Sequence, residues 1–406
     1  MIKVIKKDNT LEDFDCQKII NACKKASSRA LDELSNDDYI KICNAAMDYI
    51  DEDEFTDGIP VETIHAIVEH TLLELYPKSG EAYQQYRNYK KDFVHMMDDV
   101  YIKSQGIRYI GDVSNANTDS TMISTQRSLI YGELNKNLYD KFFLNVEERQ
   151  AIRDGYIYIH DKKDRLDSIN CCLFDMANVL KNGFEMGNIH YNEPKTLDVA
   201  FDVISDVTMS AASQQYGGFT IPRVDTILAP YAEKSYKKYY QEYLNISDEI
   251  YLDVPMGGSH EWDNKMLNEL ADNYATRKVH RDFEQGFQSW EMCFNSVGSS
   301  RGDYPFIAIS FGIDTSKWGT MASEVALKVR MNGQGKKEYK KPVLFPKLTF
   351  LYDENLHGVG KPLEWLFDIS IDCSSKCMYP DYLSLTGDGY IPSIYKKYGK
   401  VISLMG

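Results

Sequence analysis

The chain has 406 residues, 43% hydrophobic and 26% charged, enough to bury a sizeable core in two or three domains. Its 46 basic and 61 acidic residues give a formal charge of −15, which repels a polyphosphate backbone and argues against nucleic acid as a partner, though a few cations in one pocket can still hold a mononucleotide. Nothing approaches the roughly 18 continuous apolar residues of a membrane span, the start Met1-Ile2-Lys3-Val4-Ile5-Lys6-Lys7 lacks the apolar stretch of a signal peptide, and the eight cysteines are too scattered for a small disulfide framework; a cytoplasmic protein with reduced thiols is expected.

In chain order, residues 1–95 read as one small unit. Ile2 to Ile5 is a short strand, turned at Lys7-Asp8-Asn9. Asp15 can cap a helix that carries Ile19, Ile20, Cys23 and Ala26 at helical spacing. Asp51-Glu52-Asp53-Glu54 is a solvated loop. Pro60 and Glu62 open a second helix through Ile64, Ile67, Val68 and Leu72, and a third runs from Gly80 to about Met97. Residues 96–127 form a linker or ordered loop, with Gly, Asn, Ser and Thr concentrated in 106–125. From residue 128 to 406, helices such as 197–215 and 318–331 alternate with strand candidates at 157–159, 169–174, 306–311 and 343–351. That alternation predicts an α/β architecture. No internal repeat is evident.

The segments Val4-Ile5-Lys6-Lys7-Asp8, Glu12-Asp13-Phe14-Asp15, Lys18-Ile19, Ile64-His65, Ala82-Tyr83, Tyr86-Arg87 and Lys90-Lys91 together resemble the ATP-cone, a regulatory domain of ribonucleotide reductases. Taken singly, these lysines would decorate a solvated face and His65 would be structural. The ordered series is what carries the resemblance. It implies that Lys6, Lys7, Glu12, Lys18, His65 and Lys91 contact ATP or dATP, with magnesium, as allosteric effectors. Lysines serve as point charges for a triphosphate, and a helix N-terminus adds amide donors. Asn9 and Val61 depart from residues common in the family.

Most of residues 100–406 resembles anaerobic (class III, glycyl-radical) ribonucleoside-triphosphate reductase. The carrying segments are His160-Asp161, Ser168-Ile169-Asn170-Cys171, Phe184-Glu185-Met186-Gly187-Asn188, Glu193-Pro194-Lys195, and Tyr216-Gly217-Gly218-Phe219-Thr220-Ile221 with Arg223-Val224-Asp225. Asn295-Ser296, Arg301-Gly302, Phe345-Pro346-Lys347-Leu348 and Met378-Tyr379-Pro380-Asp381 follow in order. The resemblance implies an oxidoreductase built on a ten-stranded α/β barrel around a finger loop, here only in part, after a mostly helical ATP-cone. A thiyl radical removes a ribose hydrogen, and a second cysteine returns one; Cys171 matches that second cysteine. If 169–174 is a strand, Cys171 and Cys172 face opposite sides, so Cys172 is expected to pack with Asn170 and Phe174 against helices. His160 and Asp161 match residues near substrate, or else cap a turn. Glu193 and Lys195 match part of an effector specificity site at a dimer interface, or else form a surface ion pair. Gly217-Gly218 permits either a tight turn or close backbone approach. Cys373 and Cys377 lack the partners of a zinc site, so no metal is expected in these residues.

The resemblance also places a cysteine directly after Met405-Gly406, the thiyl position. It places the remaining strands, a four-cysteine zinc site and the glycyl-radical loop further on. The chain is therefore expected to be inactive alone, as a truncation, a split gene or an intein-interrupted one, and Lys400 to Leu404 reads as a buried strand. Expected partners are a ribonucleoside triphosphate substrate, deoxynucleotide effectors, a second copy in a homodimer, an S-adenosylmethionine iron–sulfur activase and the C-terminal half. The electron donor, formate or a thiol protein, stays open. Two other readings are a non-catalytic nucleotide sensor and an enzyme of the pyruvate formate-lyase type. The long catalytic-domain pattern argues against the first, and the ATP-cone and the early position of the cysteine pair argue against the second.

Overall fold

The computed structural model of the chain describes residues 3–49, 57–111, 119–166, 169–252, 263–296, 298, 304 and 306–399. The acidic loop at 51–54, the Arg301-Gly302 pair and the strand expected at 400–404 lie outside these residues, as do 112–118 of the expected linker. The chain divides into two compact units, Met1–Lys103 and Ser104–Gly406.

In the first unit β1 (Lys3–Ile5) pairs antiparallel with β2 (Leu11–Asp13) and parallel with β3 (Ile59–Pro60). Asn9 takes a left-handed backbone, φ 64°, in the β1–β2 turn. Asparagine tolerates that region because its short side chain can bond locally. Helices α1 (Cys16–Ala30) and α2 (Asn36–Asp48) begin at side-chain caps. Asp15 accepts the Gln17 amide at 2.8 Å, and Ser35 with Asp38 forms a reciprocal box. Next come α3 (Val61–Leu75) and α4 (Pro77–Tyr109). The core joins Ile19, Cys23 and Ala26 to Ile42, Cys43 and Ala46, and to Ile64, Val68 and Leu72, each set on one face of its helix. The third predicted helix was expected to stop near Met97. It continues to Tyr109, because residues 98–109 hold no proline and their one glycine, Gly106, is tolerated inside a helix.

Where reduced thiols were expected throughout, Cys16 on α1 and Cys43 on α2 stand sulfur to sulfur with Cα atoms 6.3 Å apart, a pair placed to form a disulfide. The other six cysteines are free thiols.

The second unit opens with α5 (Ile123–Phe142), α6 (Val146–Arg153) and a 3-10 turn at Lys162–Asp164. Then follow β4 (Cys172–Leu173), α7 (Met176–Asn182), the hairpin β5 (Phe184–Met186) and β6 (Ile189–Tyr191), and α8 (Leu197–Ala212). Next are β7 (Phe219–Ile221), α9 (Val224–Leu252), α10 (Asp263–Ser296), β8 (Ile307–Phe311) and α11 (Lys317–Asn332). A second hairpin, β9 (Gln334–Lys336) and β10 (Tyr339–Lys341), precedes β11 (Lys347–Tyr352) and the short α12 (Glu354–His357). The unit ends on α13 (Glu364–Cys377), β12 (Asp381–Ser384) and α14 (Tyr390–Tyr398). Strands β12-β11-β8-β7-β4 form one sheet, parallel throughout. This is the expected α/β class, and among the described residues the sheet holds five of the ten strands implied for a complete barrel. No described helix is long and apolar enough to cross a membrane.

The helix-facing sides of these strands, Phe219, Ile221, Ile307, Ile309, Phe311, Leu348 and Phe350, enter one core with α8, α9, α10 and α11. At its centre the Phe201 ring meets Phe287 and Trp290 edge-on, and the Trp290 indole N–H donates to the Phe201 carbonyl at 3.0 Å. Gly286 admits that ring: a Cβ there would lie 2.3 Å from it.

Several strand boundaries differ from expectation. Residues 157–159 are irregular, with Tyr156 and Tyr158 exposed, and 169–174 shrinks to an isolated bridge at Ile169 plus the two residues of β4. Residues 343–346 stay outside β11, because Pro342 and Pro346 supply no ladder donors. One device occurs twice although the sequence shows no repeat. A helix ends on Asn-Gly and a hairpin follows, with Gly183 at φ 67° and Gly333 at φ 64°. A Cβ on either would stand 2.7 Å from the Tyr191 carbonyl or 2.6 Å from that of Lys341, so only glycine fits.

Candidate functional site

In the first unit, β1, β2, α1, α3 and the start of α4 enclose a cavity of about 200 Å³. Its floor is apolar, from Val4, Phe14, Ile19, Ala22, Ile64 and Val68. Its rim carries Lys6, Glu12 and Lys18, with His65 and Tyr83 deeper in. An apolar floor under a cationic rim suits a flat base with a charged tail.

Glu12 lies between Lys6 and Lys18 and pairs with both. The bonds from Lys18 and then Lys6 hold its carboxyl below the usual range, and Glu12 raises the Lys6 ammonium. Lys7 pairs with Glu62 at 2.8 Å, beside Arg87, which reaches Glu69 at 2.6 Å and Glu62 at 3.4 Å. The His65 ring meets the Tyr83 hydroxyl at 2.7 Å. Burial lowers its pKa most, followed by the Arg87 charge, so it is held neutral. Lys6, Glu12, Lys18 and His65 thus converge on one cavity. Lys7 sits on Glu62 instead, and Lys91 is exposed on α4 and does not line the cavity. Of the α4 cations, Arg87 and then Lys90 bear on His65. Tyr83 and Arg87 were visible only as parts of the motif.

In the second unit Cys171 precedes β4. Its thiol donates to the Asn170 side-chain oxygen at 3.2 Å and accepts the Gly218 amide at 3.2 Å. Gly217 owes its identity to close approach, since a Cβ there would sit 2.3 Å from the Cys171 sulfur. Cys171 is exposed. Cys172 turns to the other side, packs on the core beside Phe174, and donates to Gln215 Oε1 at 3.2 Å. Burial raises its thiol pKa, with a smaller contribution from Cys171.

His160 and Asp161 pair with each other in the turn before Lys162–Asp164, where Asp161 takes φ 53°. Their further bonds are local: the Asp161 carbonyl accepts Asp164 N–H at 3.0 Å and the His160 carbonyl accepts Arg165 Nε at 3.1 Å. Glu193 pairs with Lys234 at 2.7 Å, while Lys195 is exposed. Cys373 and Cys377 share one face of α13, with sulfurs 3.6 Å from the Leu327 and Arg330 carbonyls.

A buried polar network that the motifs did not reveal fixes the start of β11. Arg330 pairs with Glu291 at 2.7 Å and donates to the Pro346 carbonyl at 2.6 Å. Asn295 clamps both the N–H and the carbonyl of Phe345, and Gln334 donates to Glu291 at 2.8 Å.

Comparison with known proteins gives two family matches: anaerobic ribonucleoside-triphosphate reductase over residues 114–406 and the ATP cone domain over residues 2–92. The anaerobic ribonucleoside-triphosphate reductase of Haemophilus influenzae is 31% identical over 394 residues, which is 94% of this chain and 52% of that protein. The enzyme of the same name from Enterobacteria phage T4 is 33% identical over 280 residues, 66% of this chain and 41% of its own. That of Escherichia coli is 29% identical, covering 94% and 51%. The chain spans about half the length of the curated relatives it matches. Among solved structures, the anaerobic ribonucleotide reductase from Thermotoga maritima with glycerol in the active site is 15% identical, with a TM-score of 0.47 over 78% of this chain and 53% of that one. The same enzyme in complex with dATP and CTP is 15% identical, with a TM-score of 0.42 over 74% and 50%.

Proposed function

From the premise that the chain belongs to the anaerobic ribonucleoside-triphosphate reductase family, we propose that it supplies the nucleotide-sensing unit and the first strands of the catalytic barrel of such a reductase. The observation that carries the sensing role is the convergence of Lys6, Glu12, Lys18 and His65 on one apolar-floored cavity. ATP or dATP, accompanied by magnesium, would place its base on the floor and its phosphates at the rim, drawing Lys6 and Lys18 away from Glu12. Residues 1–95 are the core of this unit, 96–127 lead out of it, and 128–406 belong to the barrel.

In the barrel, Cys171 is the hydrogen donor to a substrate radical. Its exposed sulfur, with Gly217 and Gly218 pressed against it, supports that role. A thiol suits the step because sulfur–hydrogen and activated carbon–hydrogen bonds are close in strength, so the transfer runs nearly level. His160 and Asp161 lie near the substrate, and Glu193 and Lys195 belong to an effector site at a homodimer interface. The radical-bearing cysteine, the glycyl-radical loop and its structural zinc come from the other half. An iron–sulfur activase generates the radical, and the whole acts in the cytoplasm to make deoxyribonucleotides for DNA replication.

The test is complementation. The chain is joined anaerobically with a C-terminal half and activase, and glycyl-radical formation and ribonucleotide reduction are followed. A complex that gains the radical but reduces no ribonucleotide would remove the catalytic assignment.

A further inference from the structure

We propose that Cys16 and Cys43 are a reversible redox site that sets the nucleotide affinity of the first unit. The two cysteines close a span of 27 residues, from the first turn of α1 to the middle of α2. Their Cα separation of 6.3 Å falls inside the range a disulfide requires. Cys16 is partly exposed and Cys43 is buried, so exchange with an external thiol or disulfide begins at Cys16. Access of one sulfur is what makes a pair exchangeable.

Position gives the pair its consequence. Phe14, Asp15, Lys18, Ile19 and Ala22, on both sides of Cys16, line the nucleotide cavity, and no residue of α2 does. The bond therefore ties one wall of the cavity to a helix outside it. A triphosphate must draw Lys18 and Lys6 off Glu12, and the first turn of α1 carries Lys18. Joining Cys16 to Cys43 restrains that turn and disfavours the adjustment; reduction releases it. In the oxidation, two S–H bonds break and one S–S bond forms. The two protons and two electrons pass to a low-molecular-weight disulfide, which is cleaved to two thiols. The reverse step consumes two equivalents of such a thiol.

This inference rests on the nucleotide reading of the cavity, and the experiment separates the two. The full chain is incubated with oxidised or reduced glutathione, its thiols are counted, its peptides are mapped by mass spectrometry, and ATP is titrated by calorimetry. Expected are a fall from eight thiols to six, a Cys16–Cys43 peptide, and ATP binding about tenfold weaker after oxidation. Cys16→Ser, and Cys43→Ala as a second variant, should bind ATP like the reduced chain under both conditions. A thiol count that stays at eight, a different cross-link, or equal affinity in the two states overturns the redox site. Absence of ATP binding in the reduced chain would instead sink the nucleotide reading, with the peptide map still deciding whether the pair forms.

Discussion

Lys6 and Lys18 share one carboxylate, Glu12, and that arrangement fixes what their removal should do. If they exchange Glu12 for a triphosphate, each makes a charge-assisted contact. Lys6→Ala and Lys18→Ala should each weaken ATP binding by about 1.5–3 kcal/mol in calorimetry. Unchanged titrations for both would remove the assignment. Cys171 and Cys172 offer the matching contrast in the barrel. In the complemented enzyme, Cys171→Ser should still allow the glycyl radical to form but abolish turnover, because an oxygen–hydrogen bond is too strong to donate. Cys172→Ser should leave turnover intact and cost about 1–3 kcal/mol in urea unfolding, since it puts a hydroxyl against the core. The reverse pattern would mean that the strand has been read inside out.

At the scale of elements, polar groups hidden between helices and strands decide where β11 and α12 begin. The Arg330 and Glu291 side chains are 1% and 4% exposed, and the pair anchors the Phe345–Pro346 segment. Removing one partner strands the other's charge, so Arg330→Ala should cost about 3–5 kcal/mol in urea unfolding. Replacing both by leucine should cost less, and equal losses would show that the charges matter less than the bonds to Pro346. His357 gives a pH signature. Its Nε2 faces the Gly312 carbonyl at 2.8 Å, and its Nδ1 lies 3.0 Å from the Asp353 amide and 3.1 Å from the Asp353 carbonyl, so the neutral ring accepts the amide there. Burial lowers its pKa. The unfolded chain then takes up a proton that the folded one refuses, so this stabilisation is full above the ordinary histidine pKa of about 6.5 and falls away as pH drops below it. Between pH 7 and pH 5, His357→Asn should show a shallower loss of stability than the wild type; parallel slopes would contradict this.

For the whole molecule, the first unit has a core of its own built from three helices and the start of α4. Residues 1–109, which keep α4 entire, should melt cooperatively by themselves, and ATP should raise their melting temperature by mass action. A fragment cut at residue 95 severs α4 inside its continuous helix and should melt lower. Equal melting temperatures would place the stability of the unit before residue 95.

The sequence by itself determined what is local or repeated at short period. The cap at Asp15, the apolar stripes of α1 and α3, the strand at β8 and the helices at α8 and α11 follow from periodicity and capping chemistry, and the ordered motifs carried the family, whereas α2 with its Ser35 cap was not read from the sequence. Opposite sides for Cys171 and Cys172 were expected from the pleat of a strand over 169–174; the structure keeps them apart although Cys171 lies outside β4, and Asn170, expected beside Cys172, bonds Cys171 instead. Tertiary structure decided what depends on partners far along the chain. The stretch 157–159 has strand-like residues but no neighbour in the sheet, so it stays irregular. Gly217 reads equally as a turn or a contact until the Cys171 sulfur is placed against it. Glu291 and Arg330 look like ordinary surface residues of helices, and only the packing of α10 and α11 under β11 buries them as a pair and turns Asn295, seen in the sequence only as part of a motif, into a clamp. Lys7 and Lys91 diverge from the cavity for the same reason: a lysine's charge is written in the sequence, but the carboxylate it meets is chosen by the fold.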